Sequence, residues 1–114
     1  MDSTTKILLW RKDNGRGPEI ATRDYELFAR EIIKSIRAST YAEIDLRELI
    51  DQLRCTLSGT CRGNVHWYVL HVKEDLEQRG WIRTKVNRDR IQIISLGKPR
   101  NTLTNKLAHL FYNE

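Results

Sequence analysis

The sequence predicts an α+β protein that is mostly α, with three core helices, a two-stranded hairpin behind the third, and a short extra helix at the C-terminal end. Three observations carry this. Residues 23–38 hold an apolar stripe at helical spacing. Val65, Val69, Val72 and Leu76 repeat at the same spacing behind Asn64 and stop before Gly80. Directly after that glycine, Trp81–Val86 and Ile91–Leu96 read as strands around the turn-like tetrad Asn87-Arg88-Asp89-Arg90.

At 114 residues, 39% of them hydrophobic and 31% charged, the chain fits one small folded domain rather than a disordered tail. It divides into an N-terminal strand and loop (1–21), a core (22–96) and a C-terminal helix (97–114). No apolar run exceeds four residues, which leaves no candidate for a membrane-spanning helix. Asp2 stands where a secretory signal carries positive charge, and no apolar h-region of signal-peptide length follows it. A cytoplasmic location is therefore expected, with Cys55 and Cys61 reduced.

In order, Lys6–Trp10 is a short strand expected to pair at a sheet edge or against the C-terminal hairpin. Lys12–Ile20 reads as a surface loop, because Asp13-Asn14-Gly15 and Gly17-Pro18 are turn formers. Gly15-Arg16-Gly17 lacks the third glycine and the following helix of a nucleotide-binding loop. The first helix is expected from Arg23 to Ala38 with Thr22 or Asp24 as its cap. Tyr25, Phe28, Ala29, Ile32, Ile33 and Ile36 form its buried stripe, and Glu26 and Arg30 support the far side. Ser39–Ile44 is a connector in which Ile44 can make one extra sheet bridge. Asp45 with Glu48 is a capping-box pattern, and Leu46, Leu49, Ile50 and Leu53 define a second helix ending near Arg54. Cys55–Gly63 is then a polar connection to the third helix, which Asn64 caps and Gly80 ends. Gly97–Asn101 reads as a turn. Leu103, Leu107, Leu110 and Phe111 mark the short C-terminal helix, capped by Asn101 or Thr102.

The net charge of +5 is localised. Residues 81–100 carry Arg83, Lys85, Arg88, Arg90, Lys98 and Arg100 against Asp89 alone, and the other 14 basic residues are matched by 14 acidic ones. That distribution points to a phosphate-facing hairpin. Arg83, Lys85, Arg90 and Gln92 alternate, so they are expected on one side of the ribbon, with Ile82, Val86, Ile91 and Ile93 turned to the core. On the third helix, Asn64 and His66 are candidates for base edges, and Arg62 and Lys73 could join them. The face opposite its core stripe carries Trp67, Leu70, Glu74, Glu77 and Gln78, and Trp67 with Leu70 is a candidate interaction face.

Other chemistries find little support. Cys55, Cys61, His66 and His71 suggest a zinc set, but histidines five apart on a helix point about 140° from each other. Cys61 and His66 lack an orienting third residue. No catalytic residue, metal site or cofactor is expected.

Asp24-Tyr25-Glu26, Leu46–Leu53 and the passage Val72-Lys73-Glu74-Asp75-Leu76-Glu77-Gln78-Arg79-Gly80-Trp81-Ile82, with Trp67 before it, resemble the winged helix-turn-helix superfamily. More narrowly, they resemble a group of small winged-helix proteins of unassigned function, over roughly residues 14–96. The resemblance implies duplex DNA binding through the third helix and the wing, with a role in transcription regulation. The alternative is a winged-helix protein-interaction module that uses Trp67 and Leu70 and binds no DNA. The C-terminal stripe is expected to cover those two residues, within one chain or across a homodimer.

Overall fold

The computed structural model describes residues 5–11, 15–57, 59 and 64–97. Among them the chain forms three helices and two small antiparallel sheets. In order these are β1 (Lys6–Trp10), β2 (Arg16–Ala21), α1 (Thr22–Ala38), a 3₁₀ turn (Thr40–Ala42), β3 (Glu43–Asp45), α2 (Leu46–Leu57), α3 (Val65–Gln78), β4 (Ile82–Val86) and β5 (Gln92–Leu96). β1 pairs with β2, and the second sheet has the order β3-β5-β4. None of the described helices is long and apolar enough to cross a membrane. The C-terminal helix expected over Leu103–Phe111, its expected role in a homodimer, Lys98 and Arg100 all lie outside the described residues.

The expected stripe of α1 is buried in full, and it meets Leu49, Leu53, Val69, Val72 and Leu76 in one contiguous core. Its start differs from expectation. The cap position is Ala21, and neither Thr22 nor Asp24 supplies a side-chain cap. β2 runs directly into the helix, and the first helical amide, that of Thr22, donates to the Thr5 carbonyl at 2.8 Å. The residue that leads into β1 thus satisfies a donor that a cap would otherwise take.

β2 takes up residues 16–20 of the expected loop, whose residues 12–14 lie outside the described residues. Leu8 pairs with Glu19 and Trp10 with Arg16, so Gly17 and Pro18 together oppose Leu9 in a bulge. The bulge accommodates a proline that cannot donate to a ladder. It also brings backbone close to backbone, since a Cβ on Gly17 would lie 2.9 Å from the Leu9 carbonyl oxygen. β1 therefore pairs with its sequence neighbour and not with the C-terminal hairpin.

Asp45 caps α2 through the Arg47 amide, at 2.7 Å. The helix continues past Arg54 to Leu57, because Leu57 extends the Leu53 stripe by one turn and is buried. Cys55 consequently lies exposed on the helix and not in a connection. On α3, the Asn64 side chain accepts from the Trp67 amide. The other end closes with Gly80 at φ 86°, its amide donating to Glu77 and that of Trp81 to Leu76. Both hydrogen bonds of a Schellman motif are present, and they fix where β4 begins.

A buried carboxylate joins these pieces. Asp75 is fully buried on α3. Its Oδ1 accepts from the Trp10 amide of β1 at 2.8 Å, and its Oδ2 accepts from the Tyr25 hydroxyl of α1 at 2.6 Å and from Arg79 Nε at 2.7 Å. Burial first, then the charge and hydrogen bond of Asp75, hold the Tyr25 phenol well above its ordinary 10.0. Burial opposes the charge on Arg79, but the hydrogen bond and charge of Asp75 outweigh it and raise that group as well.

Two outcomes follow for chemical denaturation. Tyr25→Phe should cost about 1.5–3 kcal/mol, one hydrogen bond to a charged group. Asp75→Ala should cost about 3–5 kcal/mol, because it strands a partly buried guanidinium and two further donors. The folded state holds the Tyr25 proton more tightly than the unfolded chain does. The contribution of Tyr25 is therefore complete below about pH 10 and is lost as pH rises through the folded value. The difference in stability between the native chain and Tyr25→Phe should narrow across that alkaline range; a constant difference would count against the linkage.

Candidate functional site

The basic hairpin is built on a sheet, and its register decides which side chains meet. β5 is central: Ile44, Ile94 and Thr84 stand side by side, as do Asp45, Ile93 and Lys85, and Glu43, Ser95 and Arg83. Ile44, Ile82 and Ile94 are buried, so the even-numbered positions form the inner face. Arg83 and Lys85 share the outer face, as expected. Gln92 does not join them: it pairs with Val86 on the other side, while Ile93 lies beside Lys85. Of the residues expected to face the core, Val86 is 63% exposed and Ile91 37%. The run Ile91-Gln92-Ile93-Ile94-Ser95-Leu96 offers an apolar set in either register. Pairing on both edges of β5 selects the one that buries Ile94.

The outer face also carries acid. Lys85 Nζ lies 3.0 Å from Glu43 Oε2, an exposed pair contributed by β3. Such a pair contributes little to stability, but it reduces the charge that this face presents.

The positive charge concentrates toward the turn. Asn87 Oδ1 accepts from the amides of Asp89 and Ile91 at 2.9 and 3.0 Å. The main chain closes the turn through Arg90 N–H to the Asn87 carbonyl and Asn87 N–H to the Ile91 carbonyl, both at 3.0 Å. Arg88 is exposed in this turn. Arg90 adopts φ 62°, a left-handed conformation that glycine or asparagine takes with less strain.

His66 and Arg90, both singled out by the sequence, meet across an open cleft of about 470 Å³. Its walls are the first three turns of α2, the start of α3 and the residues where the turn enters β5. Arg47 and Arg54 of α2 complete the basic lining, Leu46, Ile50 and Ile91 supply apolar surface, and Asp45 and Asp51 are the acidic members. Sequence reasoning does not single out Arg47 and Arg54. Their seven-residue spacing on one helix face is a signal, but Asp51 between them makes that face resemble ordinary solvated surface.

The remaining candidates fall in different places. The Asn64 side-chain oxygen is committed to capping, so a base contact from Asn64 is limited to its amide nitrogen. Lys73 is nearly buried and bound to Glu77 at 3.1 Å, which removes it from a binding surface. Arg62 and Cys61 lie outside the described residues. Among those described, no three potential metal ligands gather, and His71 packs against Trp67 with ring centres 4.4 Å apart. Trp67 also meets Tyr68 edge-on, and Tyr68 stacks on the buried Phe28 at 4.8 Å. Trp67 and Leu70 remain 38% and 39% exposed.

Residues 7–91 match a family described as a family of unknown function, DUF6958. No curated protein and no solved structure matches the chain.

Arg90→Gly should separate conformation from binding. Relief of the left-handed strain, about 1–2 kcal/mol, exceeds the entropic cost of glycine, about 0.5–1 kcal/mol. Urea denaturation should show a variant at least as stable as the native chain. Clear destabilisation would mean that the Arg90 side chain supports the fold.

Proposed function

The chain belongs to the DUF6958 family, and we propose that it is a non-enzymatic winged-helix protein that binds duplex nucleic acid, with a role in transcription regulation. The order α1–β3–α2–α3–β4–β5, with β3 joined to the C-terminal hairpin, supports the fold reading. The β1–β2 hairpin is an addition to that arrangement. The observation that carries the functional reading is the juxtaposition of the hairpin's basic turn with the start of α3 across one cleft. Arg83, Arg88 and Arg90 contact phosphates in this reading, with Lys85 contributing once released from Glu43. Lys98 and Arg100 follow the hairpin in sequence and extend the charge. His66 and the Asn64 amide approach base edges from the helix start.

Fluorescence anisotropy against a labelled mixed-sequence duplex tests this reading. Binding should tighten as salt falls. Combined substitution of Arg83, Lys85, Arg88 and Arg90 by Ala should weaken it and reduce the salt slope by about 0.9 for every phosphate that no longer has a cation beside it. Undetectable affinity at low salt, or affinity indifferent to the four substitutions, would refute it.

The exposure of Trp67 and Leu70 favours a second reading, a protein-docking module. Leaving a large apolar side chain in water forgoes roughly 1.5–3 kcal/mol relative to full burial, so a partly exposed pair on one helix face retains part of that driving force. A cytoplasmic setting and self-association as a dimer belong to this proposal. Light scattering on the full chain and on Trp67→Ala/Leu70→Ala tests self-association. A dimer that becomes a monomer in the variant places these residues at the joint; a monomer in both removes homodimerisation from the proposal.

A further inference from the structure

We propose that the cleft between α2, the start of α3 and the β4–β5 turn binds a phosphate group, held by Arg47, Arg54 and Arg90. Identification of its source as a nucleic-acid backbone rests on the proposed duplex-binding function.

Three guanidinium groups, two from α2 and one from the β4–β5 turn, line one concavity. Among the described residues, no ion pair engages any of the three. The nearby acids cancel them only in part. Asp45 accepts from the Arg47 amide as the cap of α2 and keeps its negative charge. With Asp51, the other carboxylate in the wall, it offsets two of the three positive charges. The arrangement therefore keeps a net positive charge, and like charges around one cleft repel until an anion enters. All three arginines are exposed, so an anion can reach them directly from solvent.

The geometry favours phosphate over a carboxylate. Arg47 and Arg54 are two helical turns apart on α2, whereas Arg90 comes from the opposing wall. Donors arriving from separate directions suit a tetrahedral group with oxygens on several sides, and the guanidinium fork matches two of those oxygens at a time. Arg90 reaches this position in a left-handed backbone conformation held by four hydrogen bonds of the turn. In this arrangement α2 becomes a second line of contact, facing the basic turn across the bound backbone.

Two full-chain variants test the proposal, each checked for native far-UV circular dichroism: Arg47→Gln/Arg54→Gln in the cleft and Arg83→Gln/Arg88→Gln on the hairpin. The cleft variant should weaken duplex binding at least about tenfold. It should also lower the salt slope by about 0.9 for every phosphate that the two arginines neutralise in the native chain. If the cleft variant retains native affinity and slope while the hairpin variant loses both, the nucleic-acid reading stands and the cleft proposal fails. If the native chain binds no duplex, the nucleic-acid reading fails, and a ¹⁵N-resolved titration with inorganic pyrophosphate decides on the cleft. Saturable shifts at Arg47, His66 and Arg90 that disappear in the cleft variant support a site for a free phosphorylated ligand. Their absence overturns the proposal.

Discussion

The carboxylate of Asp75 is the constraint on which the arrangement depends. A charge taken out of water is costly unless its lone pairs are filled, and here they are filled by Tyr25, Arg79 and the Trp10 amide. Each donor belongs to a different stretch of chain, so satisfying Asp75 requires β1, α1 and the end of α3 to converge. Apolar burial alone would allow α1 and α3 to slide against each other, because any well-filled stripe is nearly as good. A carboxylate with three fixed donors removes that freedom. It also ties the N-terminal hairpin to the helices.

That junction lies just ahead of the C-terminal hairpin. Arg79 follows Asp75 by one turn, Gly80 reverses the backbone, and Trp81 enters the core. Gly97 returns beside this point: its amide donates to the Trp81 carbonyl at 2.8 Å, and a Cβ there would lie 2.5 Å from the Gly80 carbonyl oxygen. The two ends of the β4–β5 hairpin are thereby clasped at the close of α3, while β3 pins β5 to the start of α2. The far end, with Arg88 and Arg90, projects from a base held on both sides. Its position over the cleft is a consequence of that clasp.

The helices are legible in the sequence because their signals are local. A stripe such as Tyr25, Phe28, Ile32 and Ile36 needs no knowledge of what packs on it, and Asn64 and Gly80 mark helix ends through their own backbone chemistry. The features that sequence reasoning misses are non-local. Asp75 looks like one more acid in a charged helix, since Tyr25 is fifty residues away and Trp10 sixty-five. Gly17-Pro18 suggests a loop, and only the pairing with β1 turns it into a bulge. The orientation of Gln92 and Ile93 is ambiguous until β3 pairs with β5. At the candidate site, the basic residues of the hairpin stand out along the chain, but their partners on α2 do not.

The same non-local pairing changes what the charge distribution means. Counted along the chain, the hairpin and its exit hold the whole excess of five positive charges. Folding places Glu43 against Lys85 and brings Asp45 to the same outer face, so the middle of the sheet is less positive than the count suggests. It also adds Arg47 and Arg54 to Arg90, at a place where the sequence shows a balanced helix. The net positive charge thus lies at the turn, with Arg88 and Arg90, while the cleft below it adds two guanidinium groups matched in number by Asp45 and Asp51. A uniformly basic ribbon would attract any polyanion through long-range attraction, which salt screens. Cations gathered around a partly apolar concavity act at short range, where geometry selects the ligand as well as charge. In the proposed reading, affinity for an anion follows less from the total charge than from how well a phosphate seats between α2 and the turn.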